Sequence, residues 1–582
     1  MKNKFIAANV IVAGVLLITI FAGCANKKTP ADLVLKNGKI VTVDAAMPEA
    51  EALAIAGNKI VAVGTNAEIE AYVGASTKVI DLAGKLAIPG FIEGHGHFTS
   101  LGRAKKVLDL TKAKNWDEIV SMVAEAAQQA KAGAWIFGRG WHQEKWDKAP
   151  QNSVDGVPAH DELSKVSPNH PVYLTHASGH ASFANAKALQ SAGINESTPD
   201  PAGGTIVRDK LGRPSGLLRE NAQDVVEAAI DAYQAQRSPQ ENEDEQIEYV
   251  RLAGQESLSK GVTTFHDAGS SFKTIDLFKK LADEGKLPVR LYVMVRRETN
   301  EAMDEKLPAY RLIEYGNSFL TVRSIKRQID GALGAHGAWL LEPYEDMSNS
   351  TGLVLEPVAD ITRTCEIAVK HGFQVNTHAI GDRANREVLD IYQKIFQANP
   401  DKKDLRWRIE HAQHLNPDDI PRFAELGVIA SMQGVHATSD GPWVPKRLGE
   451  QRSSEGAYVW RKLWDSNVVL TNGTDVPVED ISPIASFYAT VSRRVADGSA
   501  FYAEQKLTRE EALKSYTLNN AYAAFEENIK GSLAPGKLAD VVVLSADIMA
   551  VPDEEILSAE VLYTILDGKI VYQSSKSEIA LR

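Results

Sequence analysis

Two histidines, His95 and His97, close the apolar run Leu86-Ala87-Ile88-Pro89-Gly90-Phe91-Ile92. Alternate side chains of a strand face the same way. The pair therefore points together, and two imidazoles on one side can share a metal ion. Other short apolar runs carry further metal-competent residues: Lys326 in Ser324–Gly331, His378 ending Gln374-Val375-Asn376-Thr377, His411 ending Arg408-Ile409-Glu410, and Asp475 ending Val468–Thr474. Imidazole and carboxylate suit Zn²⁺, with Mn²⁺, Fe²⁺ and Co²⁺ as alternatives.

These runs need an element that brings their ends to one point. The strand candidates lead into His95/His97 or span Val262–Asp267, Val289–Val295, Ser324–Gly331, Gln374–His378, Arg408–His411, Val428–Gln433 and Val468–Asp475. Helical patterns separate most of them, such as Thr362–Lys370 and Arg383–Gln397, the latter with Asp382 placed as its cap. Strands alternating with helices in this number predict an α/β fold, a (β/α)8 TIM barrel, whose reactive residues sit at the C-terminal strand ends. Residues 98–261 are too many for a plain connection. They predict a large insertion after barrel strand 1, a lobe at about 105–250 near the barrel mouth, with the helical stretch from Glu220 to Lys260 leading back into strand 2.

The two ends of the chain read alike. Leu33-Val34-Leu35-Lys36-Asn37-Gly38-Lys39-Ile40-Val41 resembles Tyr563-Thr564-Ile565-Leu566-Asp567-Gly568-Lys569-Ile570-Val571, and Asn-Gly or Asp-Gly between alternating apolar residues predicts a hairpin. Residues 31–88 with 533–582 are expected to form a small β-sandwich domain built from both termini, with the barrel, 89–532, inserted between them.

The first residues belong to no fold. Lys2 and Lys4 precede the apolar Val10–Phe21, which is too short to span a bilayer comfortably, and Phe21-Ala22-Gly23-Cys24 follows. This resembles a bacterial lipoprotein signal, from which Phe21 departs where Leu is usual. The resemblance implies a signal peptide at 1–23, lipidation of Cys24, a tether at 24–30, and an exported protein anchored by lipid in the cell envelope. Cys365 is then left alone, so no disulfide is expected within the chain. The formal charge of −12 argues against nucleic acid and against electrostatic binding to anionic lipid. Membrane contact would come from the acyl chains.

The blocks GFIEGHGH, GVTTFHDAG, IKRQIDGALGAHGAWL, NTHAIGDRAN, RIEHAQHL, TNGTDVP and GSLAPGKLADVVVL, in this order, resemble the metal-dependent amidohydrolase superfamily, in the subgroup of N-substituted formamide deformylase and YtcJ-like proteins. The resemblance implies one metal at His95, His97 and Asp475, a second at His378 and His411, and a carboxylated Lys326 bridging both. A one-metal site is the alternative. It further implies metal-activated water, with Asp475 as general base and then acid, cleaving a non-peptide C–N bond of a small amide, N-substituted formamide or cyclic amide. His180, in His176-Ala177-Ser178-Gly179-His180, matches a block facing the substrate; Trp141 and Trp339 are candidate pocket walls. His266, Asp267 and Asp330 are candidates to orient the ligands. His414 reads as solvated in a loop, and His336 stands where relatives carry Arg. A deaminase would place Glu where this chain has Gly381. Ester or lactone cleavage, deamination, and a non-catalytic lipid-anchored binding protein are the competing readings.

Overall fold

The computed structural model describes residues 28–150, 153–154 and 156–576, so Cys24 and the signal segment lie outside the described residues. Eight parallel strands form the central sheet: β1 (Phe91–Gly96), β2 (Val262–Ser270), β3 (Arg290–Val295), β4 (Leu320–Gln328), β5 (Gln374–Ala379), β6 (Arg408–His411), β7 (Ile429–Gln433) and β8 (Leu470–Gly473). Each pairs with its sequence neighbour. The ends of the sheet come together where His97 N donates to Val476 O at 2.7 Å and Asp475 N to His95 O at 2.8 Å. The result is a nearly closed barrel. Glycine makes this seam tight: a Cβ on Gly94 would lie 2.4 Å from Asn472 O, and one on Gly96 would lie 2.7 Å from the Phe265 ring.

Helices cover the outside because their apolar residues recur at helical spacing. Asp382–Ala398 buries Ala384, Val388, Ile391 and Ile395 on one face. Its cap is Gly381, so Asp382 sits in the first turn, where its carboxylate accepts from Leu341 N at 2.9 Å rather than capping the helix. Strand β4 begins at Leu320, earlier than its sequence pattern suggests. Arg327 is tolerated there because it reaches Thr364 Oγ1 (2.7 Å) and Asn300 Oδ1 (2.9 Å) outside the barrel.

Two further sheets lie outside the barrel, the first from N-terminal strands and the second from both ends of the chain. One has four strands, Lys59–Gly64, Ala52–Ala56, Leu33–Lys36 and Lys78–Asp81. The other has six: Lys569–Gln573, Val561–Leu566, Val541–Leu544, Leu86–Pro89, Lys39–Val41 and Glu49–Ala50. The Asp567-Gly568 hairpin forms as expected. The Asn37-Gly38 hairpin does not, because Leu33–Lys36 joins the first sheet and Lys39–Val41 the second. Leu35, Leu53, Ile40, Val541 and Ile565 share one buried cluster drawn from both sheets. Each such side chain contributes about 1.5–3 kcal/mol. Arg290, fully buried at the start of β3, donates to Asp540 (2.8 Å) and Asp567 (3.1 Å) and ties the barrel to the C-terminal strands.

The insertion carries its own six-stranded sheet, which includes Ile136–Trp141, Val172–His176, Ala181–Ala184 and Pro214–Glu220. Trp116, Trp141, Leu174 and Phe183 pack in its core. No helix among the described residues is long and apolar enough to cross a membrane.

Candidate metal centre

The strand-end ligands converge. His95 and His97 lie two apart along the end of β1, and both turn Nε2 toward Asp475 Oδ1, at 3.5 Å and 3.2 Å. The ligand atoms of these three residues all fall within 4.8 Å of one another. Lys326 Nζ on β4 is 3.3 Å from His95 Nε2. The ring of His411 lies 4.7 Å from that of His95 and 4.4 Å from that of His378, centroid to centroid. All six expected ligands therefore share one region.

Backbone conformation helps to aim them. His411 and Asp475 adopt φ of 76° and 56°, in the left-handed region that residues other than glycine rarely enter. Such outliers persist where the surroundings hold them, and they cluster at functional sites.

Hydrogen bonds fix the rings. Glu410 accepts from His95 Nδ1, leaving Nε2 for the centre, and Gln433 Oε1 meets His411 Nδ1 at 2.8 Å, doing the same there. Burial drives His97 down to about 4 and His378 and His411 well below the usual imidazole range, so the rings are neutral at pH 7 and keep a lone pair. Burial opposes ionisation of Asp475, but the neighbouring imidazoles of His97, His95 and His411 outweigh it and hold the carboxyl well below the ordinary range. Burial also lowers Lys326 to about 8. His378 Nε2 and Asp475 Oδ1 are buried without a hydrogen-bond partner, although buried polar atoms are normally satisfied. Neutral imidazoles, an ionised carboxylate and these two orphaned atoms are a donor set that fits a divalent metal.

Other sequence candidates fall in different places. His180 lines the cavity over the centre, with its Nδ1 2.7 Å from Glu220 Oε2. His266 is buried inside the barrel against Tyr292 and Arg408. Asp267 accepts from Phe98 N (2.9 Å) and Ser270 Oγ (2.6 Å), fixing the turn after His97. Asp330 accepts from Trp339 N, Ile380 N and Gly381 N at 2.8–3.0 Å, and its Oδ1 is 3.5 Å from His378 Nε2. The structure does not bring Trp141 or Trp339 to the cavity. Trp141 is buried in the core of the lobe, its Nε1 donating to Leu174 O at 2.8 Å, and Trp339 packs beneath Arg383. His336 pairs with Asp346 at 3.1 Å. His414, expected in solvent, is buried at 2 % exposure against Tyr458.

Four residues escaped the sequence reading: Glu93, Glu220, Arg408 and Glu410. Glu93 precedes His95 by two, so strand alternation alone places it on the same inner face. There its Oε1 accepts from Thr474 N at 2.5 Å, and burial pushes it up to about 8. Arg408 and Glu410 share a face for the same reason.

The cavity over the centre encloses about 420 Å³. A smaller one of about 70 Å³ opens on the same His180, His378, His411 and Asp475.

A parallel barrel with an insertion after its first strand and histidines, a lysine and an aspartate at its strand ends defines a metal-dependent hydrolase. Residues 78–572 match the amidohydrolase family (Amidohydro_3), and the chain belongs to that family. It is 34% identical over 93% of its length to Protein LONG AFTER FAR-RED 3 of Arabidopsis thaliana, covering 92% of that protein. It is 27% identical to the N-substituted formamide deformylase of Arthrobacter pascens, over 94% of this chain and 99% of that one. An uncharacterized metal-dependent hydrolase of Pyrococcus horikoshii superimposes with a TM-score of 0.70 at 27% identity, covering 90% of this chain and 99% of that one. The protein is an enzyme, and its family and relatives support hydrolysis of carbon–nitrogen bonds.

Proposed function

We propose that this enzyme hydrolyses the C–N bond of a small non-peptide amide, an N-substituted formamide or cyclic amide among them. The convergence of His95, His97 and Asp475 with Lys326, His378 and His411 beneath one cavity carries the reading. His95, His97 and Asp475 would hold one Zn²⁺, and His378, His411 and carboxylated Lys326 a second. These ions, when bound, supply Lewis-acid polarisation of a carbonyl and a lowered water pKa.

Asp475 takes the proton of the attacking water and passes it to the leaving nitrogen. A C–O bond forms, the C–N bond breaks, and the amine departs with that proton. His180, fixed by Glu220, orients the substrate by a hydrogen bond from its other ring nitrogen. Carboxylation of Lys326 joins its neutral Nζ to CO₂ and releases one proton; burial favours the neutral amine this needs. Deamination is disfavoured by sterics. A Cβ on Gly381, where a deaminase would carry Glu, would lie 2.0 Å from Trp339 O.

The test is hydrolysis of an amide panel by metal-replete protein, with and without a chelator. Folded, metal-loaded protein that opens no amide, formamide or cyclic amide overturns the reading. We also place the enzyme in the cell envelope, anchored at Cys24, on the strength of Lys2, Lys4 and the apolar Val10–Phe21. Incorporation of a fatty-acid analogue, abolished by Cys24→Ala, is the expected result.

A further inference from the structure

Five guanidinium groups line the larger cavity and the reaction employs none of them; Arg103 and Arg297 are exposed, whereas Arg139 and Arg296 are half-buried. Arg139 comes from the lobe strand Ile136–Trp141, and Arg296 is the first residue beyond β3. Arg139 donates to two carbonyls, Pro477 O (3.3 Å) and Ala177 O (3.0 Å), and Arg296 to the side-chain oxygen of Gln328 (2.6 Å). Neither forms a close ion pair among the described residues, although Asp475 acts on both at longer range, and Glu356 and Asp267 on Arg296. Arg327, in the same wall, is by contrast paired with Glu356 at 3.3 Å. The remaining cavity carboxylates are committed or peripheral. Glu220 serves His180; on the helix Gln223–Gln234, Asp224 is exposed and acts on Arg296 and Arg297 only at longer range, and Glu227 is half-buried.

Both unpaired arginines are partly buried, and burial lowers each below the usual guanidinium range, Arg139 to about 10. Removing a cation from water without a counter-charge is costly. Arg296 lines the same cavity as His97, Lys326 and Asp475, which places it beside the metal ligands. The backbone is shaped around it. Gly269 has φ of 136°, and a Cβ there would lie 2.4 Å from Arg296 Cβ.

We infer that the substrate carries a carboxylate on one substituent of its scissile amide, and that Arg139 and Arg296 bind that carboxylate. Guanidinium forks match carboxylate geometry and give strong charge-assisted hydrogen bonds. The smaller cavity, whose wall includes Ala332, Leu333, Ile380 and Trp443 beside the polar His142, Lys145 and Asp440, takes the other substituent, which must be small. Water adds its oxygen to the acyl carbon, the C–N bond breaks, and one product bears the extra carboxylate. This deepens the amide-hydrolase reading and rests on it for turnover, though not for binding.

The experiment pairs N-formyl and N-acetyl amino acids of both hands with their C-terminal carboxamides, on the full metal-replete enzyme. The acids should exceed the carboxamides in kcat/KM by about tenfold or more. Arg139→Gln and Arg296→Gln should each cut that preference about tenfold, mostly through KM, while Arg139→Lys keeps part of it. The acids should also raise the Tm of the wild type more than that of either Gln variant. An enzyme that turns over both series equally, or variants that slow both equally, overturns the inference. A thermal shift by the acids without turnover of either series sinks the amide reading and leaves the anion site standing. Neither turnover nor shift sinks both.

Discussion

The two histidine pairs that meet under the cavity are built on opposite electrostatic plans. His95 and His97 share the end of one strand and face a carboxylate, Asp475, while a second carboxylate, Glu410, backs His95. His378 and His411 come from separate strands, and what backs His411 is the neutral Gln433. Beside His378 lies Asp330, whose oxygens already accept three backbone N–H groups and which burial pushes up to about 7. The first half is complete in charge as folded. The second, as proposed, would lack an anionic ligand, and the buried Lys326 between them would become one only by gaining a carboxyl group.

The largest expected effect comes from breaking the complete half at its shared carboxylate. Asp475→Asn should lower kcat by about a thousandfold or more, because it removes a ligand and the proton carrier together. Near-normal turnover of folded, metal-replete variant would exclude both roles. Lys326→Ala should leave the first half intact and empty the second. Bound metal should fall from about two ions per chain to about one, read by elemental analysis. Equal loss at both positions would show that the halves are not independent.

The supporting side chains sharpen the contrast further. Glu410→Gln should weaken metal binding about 10–100-fold, as loss of a carboxylate behind a ligating histidine typically does, and Gln433→Leu should cost less. Competition with a chromophoric chelator measures both, and the reverse order would contradict the charge argument. The smallest effect is on metal-free protein. His97 titrates near 4 when folded and near 6.5 when unfolded. Between those values the unfolded chain binds more protons, so stability falls as pH drops through that window. Urea midpoints should follow it, and His97→Asn should flatten the slope.

Much of this site was legible because each ligand ends a short apolar strand and the barrel brings strand ends together. The supporting groups were harder to see. Alternation sets Glu410 and His411 on opposite faces; only the φ of 76° at His411 lets both serve the centre, and no residue type announces that turn. Asn37-Gly38 carries the same local turn signal as Asp567-Gly568, yet a Cβ on Gly38 would lie 2.3 Å from Leu82 Cδ1. The chain there passes against a neighbour and crosses from one sheet to the other. Local sequence reports the bend and not its partner. Trp141 and His414 taught the same lesson from the other side, since their types suit a cavity wall and a solvated loop as well as the interiors they occupy.

The strand Leu86–Pro89 leads straight into β1, and it pairs with Val541–Leu544 near the far end of the chain. During synthesis, the segment that aims His95 and His97 therefore waits for Val541–Leu544 to emerge. Its neighbour across the seam, β8, is also made late. The metal-binding pocket is then finished only once Val541–Leu544 has been made, and a chain released short of Val541 should never acquire it.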